Sequence, residues 1–287
     1  KSPGRSEFAM SGTLYVVGTP IGNLGDFSPR AQETLAQADF IAAEDTRVTL
    51  KLLNHFGIKK PMVSYFEHNK YQRGEIICDR IEQGETCALV SDAGMPAISD
   101  PGEMLVAQCA QRGIPVVVVP GPSAVVAALA VSGLPTGRFT FEGFLSTAKK
   151  SRREHLEEVR SERRTMVFYE APHKLASTLE DMLAAWGNRR IALVREISKI
   201  HEEVRRTTLE EAARYYRENT PKGEFVLVIE GAPKEEAVDM TIEGAVAFAR
   251  ELMEQGHSTA DAAKQAAQAS SFKKGQIYRL LMEEKAD

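Results

Sequence analysis

Cysteine is scarce in this 287-residue sequence, which contains only three. Cys78, Cys87 and Cys109 lie apart from one another in apolar-periodic segments, without a C-x-x-C spacing or a neighbouring histidine. Structural zinc sites and disulfide frameworks need closer or paired cysteines. We therefore expect a reduced, cytoplasmic protein that binds no metal.

Long apolar runs are also missing. No segment approaches the roughly 18 residues of a membrane span, and no signal-peptide pattern precedes Met10, so we expect no membrane contact. Residues 1–9 have no apolar period and are interpreted as an expression-vector tag. The formal net charge of -4 argues against a uniformly basic nucleic-acid surface, although it permits local basic patches.

Two familiar phosphate-binding motifs are absent. The glycine-rich turn Gly18–Asp26 follows the first predicted strand, but the sequence has neither G-x-G-x-x-G nor G-x-x-x-x-G-K-[ST] there. This turn therefore predicts neither a dinucleotide cradle nor a P-loop. It is compatible with a ligand that has an adenosyl group and no phosphates.

The first half of the chain repeats a strand, a polar turn and a helix. Near-continuous apolar strands such as Val116–Val119, alternating with helices, predict a parallel sheet that is covered on both faces. The break at Ser132–Gly137 marks a domain boundary, so residues 10–134 form the predicted N-terminal α/β domain. The five predicted strands are 13–18, 40–43, 61–64, 86–90 and 116–119.

Two further regions follow. Residues 138–232 predict a second α/β domain with a mixed sheet, and the cleft between the two domains is the expected place for a site. Residues 240–287 predict short helices that resemble a helix-turn-helix, with a local excess of positive charge that includes Lys273 and Lys274. This region is interpreted either as a nucleic-acid-binding module or as a helical cap on the second domain.

The loop Val90–Gly102 is the most informative segment. It combines two glycines, two prolines and two aspartates where a predicted strand ends, and ligands of open α/β sheets bind beyond the carboxyl ends of the strands. A long structural turn with aspartate caps is the alternative interpretation.

Charged side chains follow the neighbouring strands. Glu44 and Asp45 are candidates to orient or deprotonate a hydroxyl, and Arg47 is a candidate to bind phosphate or carboxylate. His68 is an alternative base. The simpler interpretations are a helix cap with local charge pairing for residues 44–47 and a solvated histidine for His68.

Two strand-to-helix turns complete the predicted cleft. Ser123 begins a helix of small residues, and the free N–H groups behind it suit a carboxylate. In the second domain Tyr169 and Glu170 are candidates to line the cleft, whereas Pro172 at the first helical turn explains the same geometry without a functional role.

These segments together resemble the tetrapyrrole-methylase superfamily of S-adenosylmethionine-dependent methyltransferases. The resemblance runs from about Thr13 to the C-terminus and rests on P-I-G-N-L, A-E-D-T-R and S-D-A-G-M-P-A-I-S-D-P-G taken together. It implies two α/β domains around a cofactor cleft, a homodimer, and S-adenosylmethionine as cofactor, with S-adenosylhomocysteine as product. The most similar members 2′-O-methylate a cytidine of 16S ribosomal RNA in the small ribosomal subunit.

The resemblance also implies roles for individual residues. The expected cofactor contacts are Gly18, Pro20, Ser91, Asp92, Ala93, Gly94, Ile98, Ser123, Ala124, Tyr169, Gly223 and Glu224. From their charge and position, and not from the resemblance, the expected RNA contacts are Asn23, Arg47, Lys149, Lys150, Arg152, Arg153, Lys273 and Lys274. The reaction type makes Glu44 and Asp45, and after them His68, the candidate bases. A solvated helix start is the simpler interpretation of residues 149–153.

Two other functions remain open at this point. The same scaffold methylates tetrapyrrole carbons or a modified histidine of a protein, and a small planar substrate would not require the basic helical appendage. A non-catalytic protein that senses an adenosyl ligand and binds nucleic acid is the second alternative.

Overall fold

The computed structural model describes residues 12–234 and 240–284, so the predicted tag lies outside the described residues. The chain divides after Ala232 into two compact units. The first unit contains both α/β domains, and the second contains the C-terminal helices.

Five parallel strands form the first sheet, in the order β3-β2-β4-β1-β5. Apolar side chains on its two faces, among them Phe40 and Leu89 on one and Ile41 and Val90 on the other, build two cores beneath the helices. The strands are β1 (Leu14–Val17), β2 (Phe40–Ala43), β3 (Met62–Ser64), β4 (Cys87–Val90) and β5 (Val116–Val119), and the helices are α1 (Pro29–Gln37), α2 (Thr46–His55), α3 (Lys70–Glu82), α4 (Gly102–Gln111) and α5 (Ala124–Ser132).

The expectation of a sheet covered on both faces is wrong at β5. Val116, Val117 and Val118 are 36%, 43% and 52% exposed. β5 is the edge strand beside β1, and its side chains therefore lack neighbours on one side. Sequence alone gave no sign of this, because a run of four valines is also typical of a central strand.

The second sheet is mixed, with the order β6-β7-β10-β8-β9. β6 and β7 are parallel, whereas the other neighbours are antiparallel. Helix α5 packs on this sheet through Val125, Ala128 and Leu129 and so joins the two domains. The elements are β6 (Phe139–Phe144), α6 (Lys149–Glu158), β7 (Thr165–Glu170), α7 (Pro172–Trp186), β8 (Arg190–Arg195), β9 (Glu203–Thr208), α8 (Leu209–Glu218) and β10 (Phe225–Ile229).

The described part of the C-terminal unit contains three helices, which are α9 (Ile242–Glu254), α10 (Thr259–Ala269) and α11 (Lys274–Glu284). Ser258 caps α10 by accepting a hydrogen bond from the Asp261 N–H. Small alanines on α9 and α10 let these helices pack closely around Ile277 and Leu281. The predicted combination of a parallel sheet, a mixed sheet and C-terminal helices is confirmed.

None of the described helices has the length and apolar character needed to cross a membrane.

Candidate functional site

A cavity of about 700 Å³ lies beyond the carboxyl ends of the first sheet's strands and against the second sheet. Loops after β2, β4 and β5 form its wall on the first domain, and the ends of β6, β7, β8 and β10 form the opposite wall. The predicted residues that line it are Glu44, Ser91, Asp92, Ala93, Gly94, Ile98, Ser123, Ala124, Tyr169 and Glu224.

The loop after β4 is fixed to the loops around it. Thr19 and Gly94 exchange two backbone hydrogen bonds of 3.1 Å, and Asp92 Oδ1 accepts the Asp45 N–H at 3.1 Å. Ala97 and Ser99 adopt positive φ angles of 66° and 56°, which non-glycine residues avoid unless the surroundings impose them. A strained loop that is anchored at several points suits a binding surface.

Gly18 has a packing role here and does not line the cavity. Its backbone passes so close to Gly121 that a Cβ on Gly121 would lie 2.7 Å from Gly18 Cα. Because neither glycine has a side chain, the loops after β1 and β5 can pack directly against each other. Pro20 is also outside the lining, and the neighbouring Ile21 contributes instead.

The two adjacent carboxylates after β2 differ in their surroundings. Asp45 caps α2 and accepts hydrogen bonds from the Arg47 backbone and guanidinium, which holds the pKa of the Asp45 carboxyl below its ordinary value. Glu44 faces the cavity, where burial raises the pKa of its carboxyl and the charges of Asp92 and Asp100 raise it further. Glu44 is thus the more basic group, and of the two residues only Glu44 is among those that line the cavity.

His68 lies in the loop that precedes α3 and is not among the cavity's lining residues. Its ring is edge-on to Phe66 at 6.3 Å. The structure therefore does not bring His68 together with Glu44 at the cavity wall.

Helix α5 directs its first turn at the cavity. Ser123 occupies the N-cap position without a side-chain capping bond, and both Ser123 and Ala124 line the cavity. The first N–H groups of a helix have no intrahelical acceptor. They are consequently available to an anionic group of a ligand.

A buried carboxylate forms part of the opposite wall. Glu170 is 5% exposed, and its two oxygens accept the Ala171 N–H at 2.8 Å and the Thr178 hydroxyl at 2.6 Å. Arg152 holds the same hydroxyl at 2.7 Å and pairs with Asp181. This network fixes the Glu170 carboxylate in one orientation.

Sequence reasoning missed a charged cluster at the rim. Lys199 lines the cavity and pairs with Glu196 at 2.7 Å and with Glu224 at 3.0 Å. Its side chain lies where a Cβ of Gly22 would be, so it bridges the two domains. Gly223, outside the lining, adopts a φ of 82° directly before Glu224. Nothing in the segment 196–199 distinguishes it in sequence, because its placement depends on positive φ angles at two non-glycine residues.

The other missed lining residues are mostly apolar or flank the predicted turns. Asp100 lines the cavity while its Oδ1 accepts the N–H groups of Ala97 and Gly102. Burial raises the pKa of its carboxyl. The rest are Ile21, Met95, Phe144, Ala171, Pro172, His173, Val194, Ile197, Phe225 and Val226.

The predicted RNA contacts are dispersed. Lys149, Lys150 and Arg153 are exposed at the start of α6, whereas the guanidinium of Arg152 is engaged with Thr178 and Asp181. Arg47 is exposed and paired with Asp45. Asn23 Oδ1 accepts the Gly25 N–H, and Lys273 and Lys274 are exposed in the C-terminal unit.

Within residues 12–234 and 240–284, no cluster of three or more His, Cys, Asp and Glu side chains is arranged to hold a metal ion.

The sequence matches a known protein family, and its fold is similar to that of solved structures. The chain belongs to the tetrapyrrole (corrin/porphyrin) methylase family, whose model matches residues 13–213. Diphthine synthase has a similar fold, with a TM-score of 0.61 at 17% identity over 76% of this chain and 90% of that one. Uroporphyrin-III-C-methyltransferase from Thermus thermophilus also has a similar fold, with a TM-score of 0.54 at 21% identity. The similarity covers 76% of this chain and 94% of that one.

More similar sequences share one name, ribosomal RNA small subunit methyltransferase I. The protein of that name from Synechocystis sp. is 48% identical over 277 residues, which are 96% of this chain and 99% of the relative. That from Haemophilus influenzae is 44% identical over 94% of this chain and 96% of the relative. That from Thermotoga maritima is 47% identical over 77% of this chain and 99% of its own length.

Proposed function

We propose that this protein methylates the 2′ hydroxyl of a cytidine ribose in 16S ribosomal RNA of the small subunit, with S-adenosylmethionine as methyl donor. The observation that carries the proposal is the full-length similarity to proteins named ribosomal RNA small subunit methyltransferase I, at 48% identity over 96% of this chain. Similarity over both α/β domains and the C-terminal region favours a shared substrate.

The cavity's chemistry fits the proposed cofactor. Glu44, Asp92 and Asp100 give it negative charge, which suits a sulfonium. Ile21, Ile98 and Val226 offer apolar contacts for an adenine. The uncapped start of α5 at Ser123 suits the carboxylate of an amino-acid moiety. Glu170, fixed by Thr178, is a candidate acceptor for ribose hydroxyls or an ammonium.

The proposed mechanism uses orientation and one proton acceptor. When bound, the cofactor supplies an electrophilic methyl group. Glu44 accepts the proton of the ribose hydroxyl, because its carboxylate faces the cavity and burial raises its pKa. Asp45 positions α2 through its cap and binds Arg47. Closely packed loops hold the reacting groups in the orientation that methyl transfer requires. This orientation lowers the activation barrier of the reaction.

The exposed cations supply the proposed contacts to RNA phosphates. Lys149, Lys150 and Arg153 stand together at the start of α6, and Lys273 and Lys274 add positive charge on the C-terminal unit. Such contacts give affinity without sequence selectivity and weaken with salt. We assign these contacts to RNA affinity and not to methyl transfer.

A self-association surface is also proposed, since the family resemblance implies a homodimer. The exposed valines of edge strand β5 support it, because an apolar edge strand favours pairing with another chain. A second copy of this chain covering Val116–Val118 is the expected occupant.

Methyl transfer from labelled S-adenosylmethionine tests the proposed function. Isolated small subunits that lack the modification, naked 16S RNA and a tetrapyrrole are offered separately, and the labelled nucleoside is identified by mass spectrometry. We expect label on a cytidine ribose. Label on the tetrapyrrole alone, or on a base, would contradict the proposal.

A further inference from the structure

One large aromatic side chain at the cavity stands out in solvent. Phe144 ends β6, lines the cavity and is 61% exposed. Single exposed apolar residues are common on protein surfaces. Phe144 differs because its ring is exposed at the mouth of the cavity that the methylation reaction would use.

A bulge in β6 directs this ring. The pairing of β6 with β7 shifts register between Phe141 and Gly143, and Gly143 has a φ of 68°. Bulges re-aim the side chains that follow them and occur next to functional sites. Here the shift aligns Phe144 with Tyr169.

Tyr169 supports the ring from one side. The ring centroids of Phe144 and Tyr169 are 5.5 Å apart at an interplanar angle of 63°, and the ring of Phe141 lies 5.0 Å from that of Tyr169. These contacts position Phe144 without burying it, since most of its surface remains exposed.

The charges nearby favour a nucleic acid as the ligand of this ring. A loop of four residues, 145–148, separates Phe144 from α6, whose first residues include the exposed Lys149, Lys150 and Arg153. Proteins that bind single-stranded nucleic acids combine cations for the backbone with exposed aromatic rings on which bases stack.

We propose that Phe144 is a base-stacking residue for single-stranded RNA, on which a base beside the methylated nucleotide rests. This inference rests on the proposed function and names the nucleotide contact that holds the RNA at the cavity. The exposed face of Phe144 binds the base, Tyr169 fixes the ring, and the cations of α6 hold the adjoining phosphates.

Two substitutions at Phe144 and one on the same strand test the inference. Phe144→Leu keeps apolar bulk but removes the aromatic face, whereas Phe144→Trp keeps a face. Phe139→Leu is the matched control, because Phe139 is 41% exposed on β6 and is not among the cavity-lining residues. The readouts are KM for unmodified small subunits, the S-adenosylmethionine Kd by calorimetry, and the Tm.

We expect Phe144→Leu to raise KM about ten-fold, the size of one lost base stack, with Kd and Tm unchanged. Phe139→Leu should stay within two-fold of the wild type, and Phe144→Trp, which keeps an aromatic face, should raise KM less than Phe144→Leu. An unchanged KM in Phe144→Leu would overturn the inference, and so would a parallel loss of cofactor affinity, which would place the ring on the adenine.

A second readout separates this inference from the proposed function. If the wild-type protein transfers no methyl group to small subunits, the proposed function has failed. Binding of a fluorescent single-stranded oligoribonucleotide then decides: weaker binding by Phe144→Leu alone supports base stacking, and equal binding by all variants refutes it.

Discussion

At the scale of single residues, two neighbouring carboxylates have opposite environments. The Arg47 guanidinium keeps the Asp45 carboxyl ionised and engaged, whereas burial and the charges of Asp92 and Asp100 make ionisation of Glu44 costly. A carboxylate that is costly to ionise is a better proton acceptor, and perturbed pKa values of this kind are frequent at functional sites. The difference assigns the acceptor role to Glu44 over Asp45.

Replacing Glu44 tests this assignment. Glu44→Gln should lower kcat for methyl transfer by about 100-fold or more, because neutral Gln accepts the hydroxyl proton poorly. Asp45→Asn is the control: Asn still caps a helix, so its activity should remain within several-fold of the wild type. Equal losses in both variants would contradict the assignment.

Glu44 also affects the stability of the fold, and the raised pKa of its carboxyl determines the direction of this effect. Because the folded-state pKa of Glu44 is raised, the ionised form opposes folding, and this cost appears as pH rises through the folded pKa. Glu44→Gln should therefore have a Tm at pH 7 equal to or above that of the wild type, and the difference should vanish below the ordinary value of 4.5. Thermal denaturation across pH measures it, and a lower Tm at pH 7 would show that ionised Glu44 stabilises the fold.

At the scale of elements, the start of α6 has charges that oppose helix stability. Lys149, Lys150 and Arg153 lie in the first turns, where the positive end of the helix dipole disfavours cations. Helix stability therefore does not account for three cations at this position. Binding of an anionic partner would account for them.

Charge reversal on α6 separates binding from stability. Lys149→Glu with Lys150→Glu should leave the Tm unchanged or raised and weaken RNA binding about ten-fold at low salt, with a shallower salt dependence. Lys59→Glu with Lys234→Glu changes the net charge equally at other exposed positions. Titration of labelled RNA at several salt concentrations is the measurement, and equal effects of both pairs would show only a response to net charge.

The loops after β1 and β5 depend on two glycines. Gly121→Ala would place a methyl group 2.7 Å from Gly18 Cα, and neither backbone can yield cheaply. We expect a loss of about 1–3 kcal/mol in the free energy of unfolding. Gly137→Ala is the control, since nothing lies within 4 Å of its Cβ position, and it should change stability by less than about 0.5 kcal/mol. Chemical denaturation compares them, and similar losses would refute the close-approach argument.

At the scale of the whole molecule, the exposed edge strand β5 allows a test of the proposed dimer. Val117→Asp should convert a dimer into a monomer, because a charge at the centre of the apolar edge is costly to bury. Ile200→Asp is the control, as Ile200 is 94% exposed in a loop outside that edge. Light scattering after size exclusion measures the mass, and a wild-type monomer would contradict the proposed dimer.

Much of the architecture was predictable because apolar periodicity follows backbone geometry. Strands that are buried on both faces and amphipathic helices each leave a local pattern. The cavity-lining loop 91–94 was also predictable, because glycine and aspartate after a strand indicate a binding turn and the carboxyl ends of parallel strands meet at one edge.

Side-chain partners could not be predicted in the same way. Arg152 was grouped with its cationic neighbours, but Asp181 and Thr178 on another helix engage its guanidinium. Lys199 reaches the cavity only through a loop with positive φ angles at Glu196 and Ser198. Such contacts depend on packing between segments that are distant in sequence.

The sequence by itself determined the α/β class, the order of its elements and which loops meet at the carboxyl edge, since each depends on local periodicity and turn chemistry. Only the tertiary structure decided which of two adjacent carboxylates faces the cavity, which cation is engaged internally, and that Phe144 and the valines of β5 remain exposed. The folded structure determines how exposed a side chain is and which groups it contacts. These two properties determine the residue's chemical role.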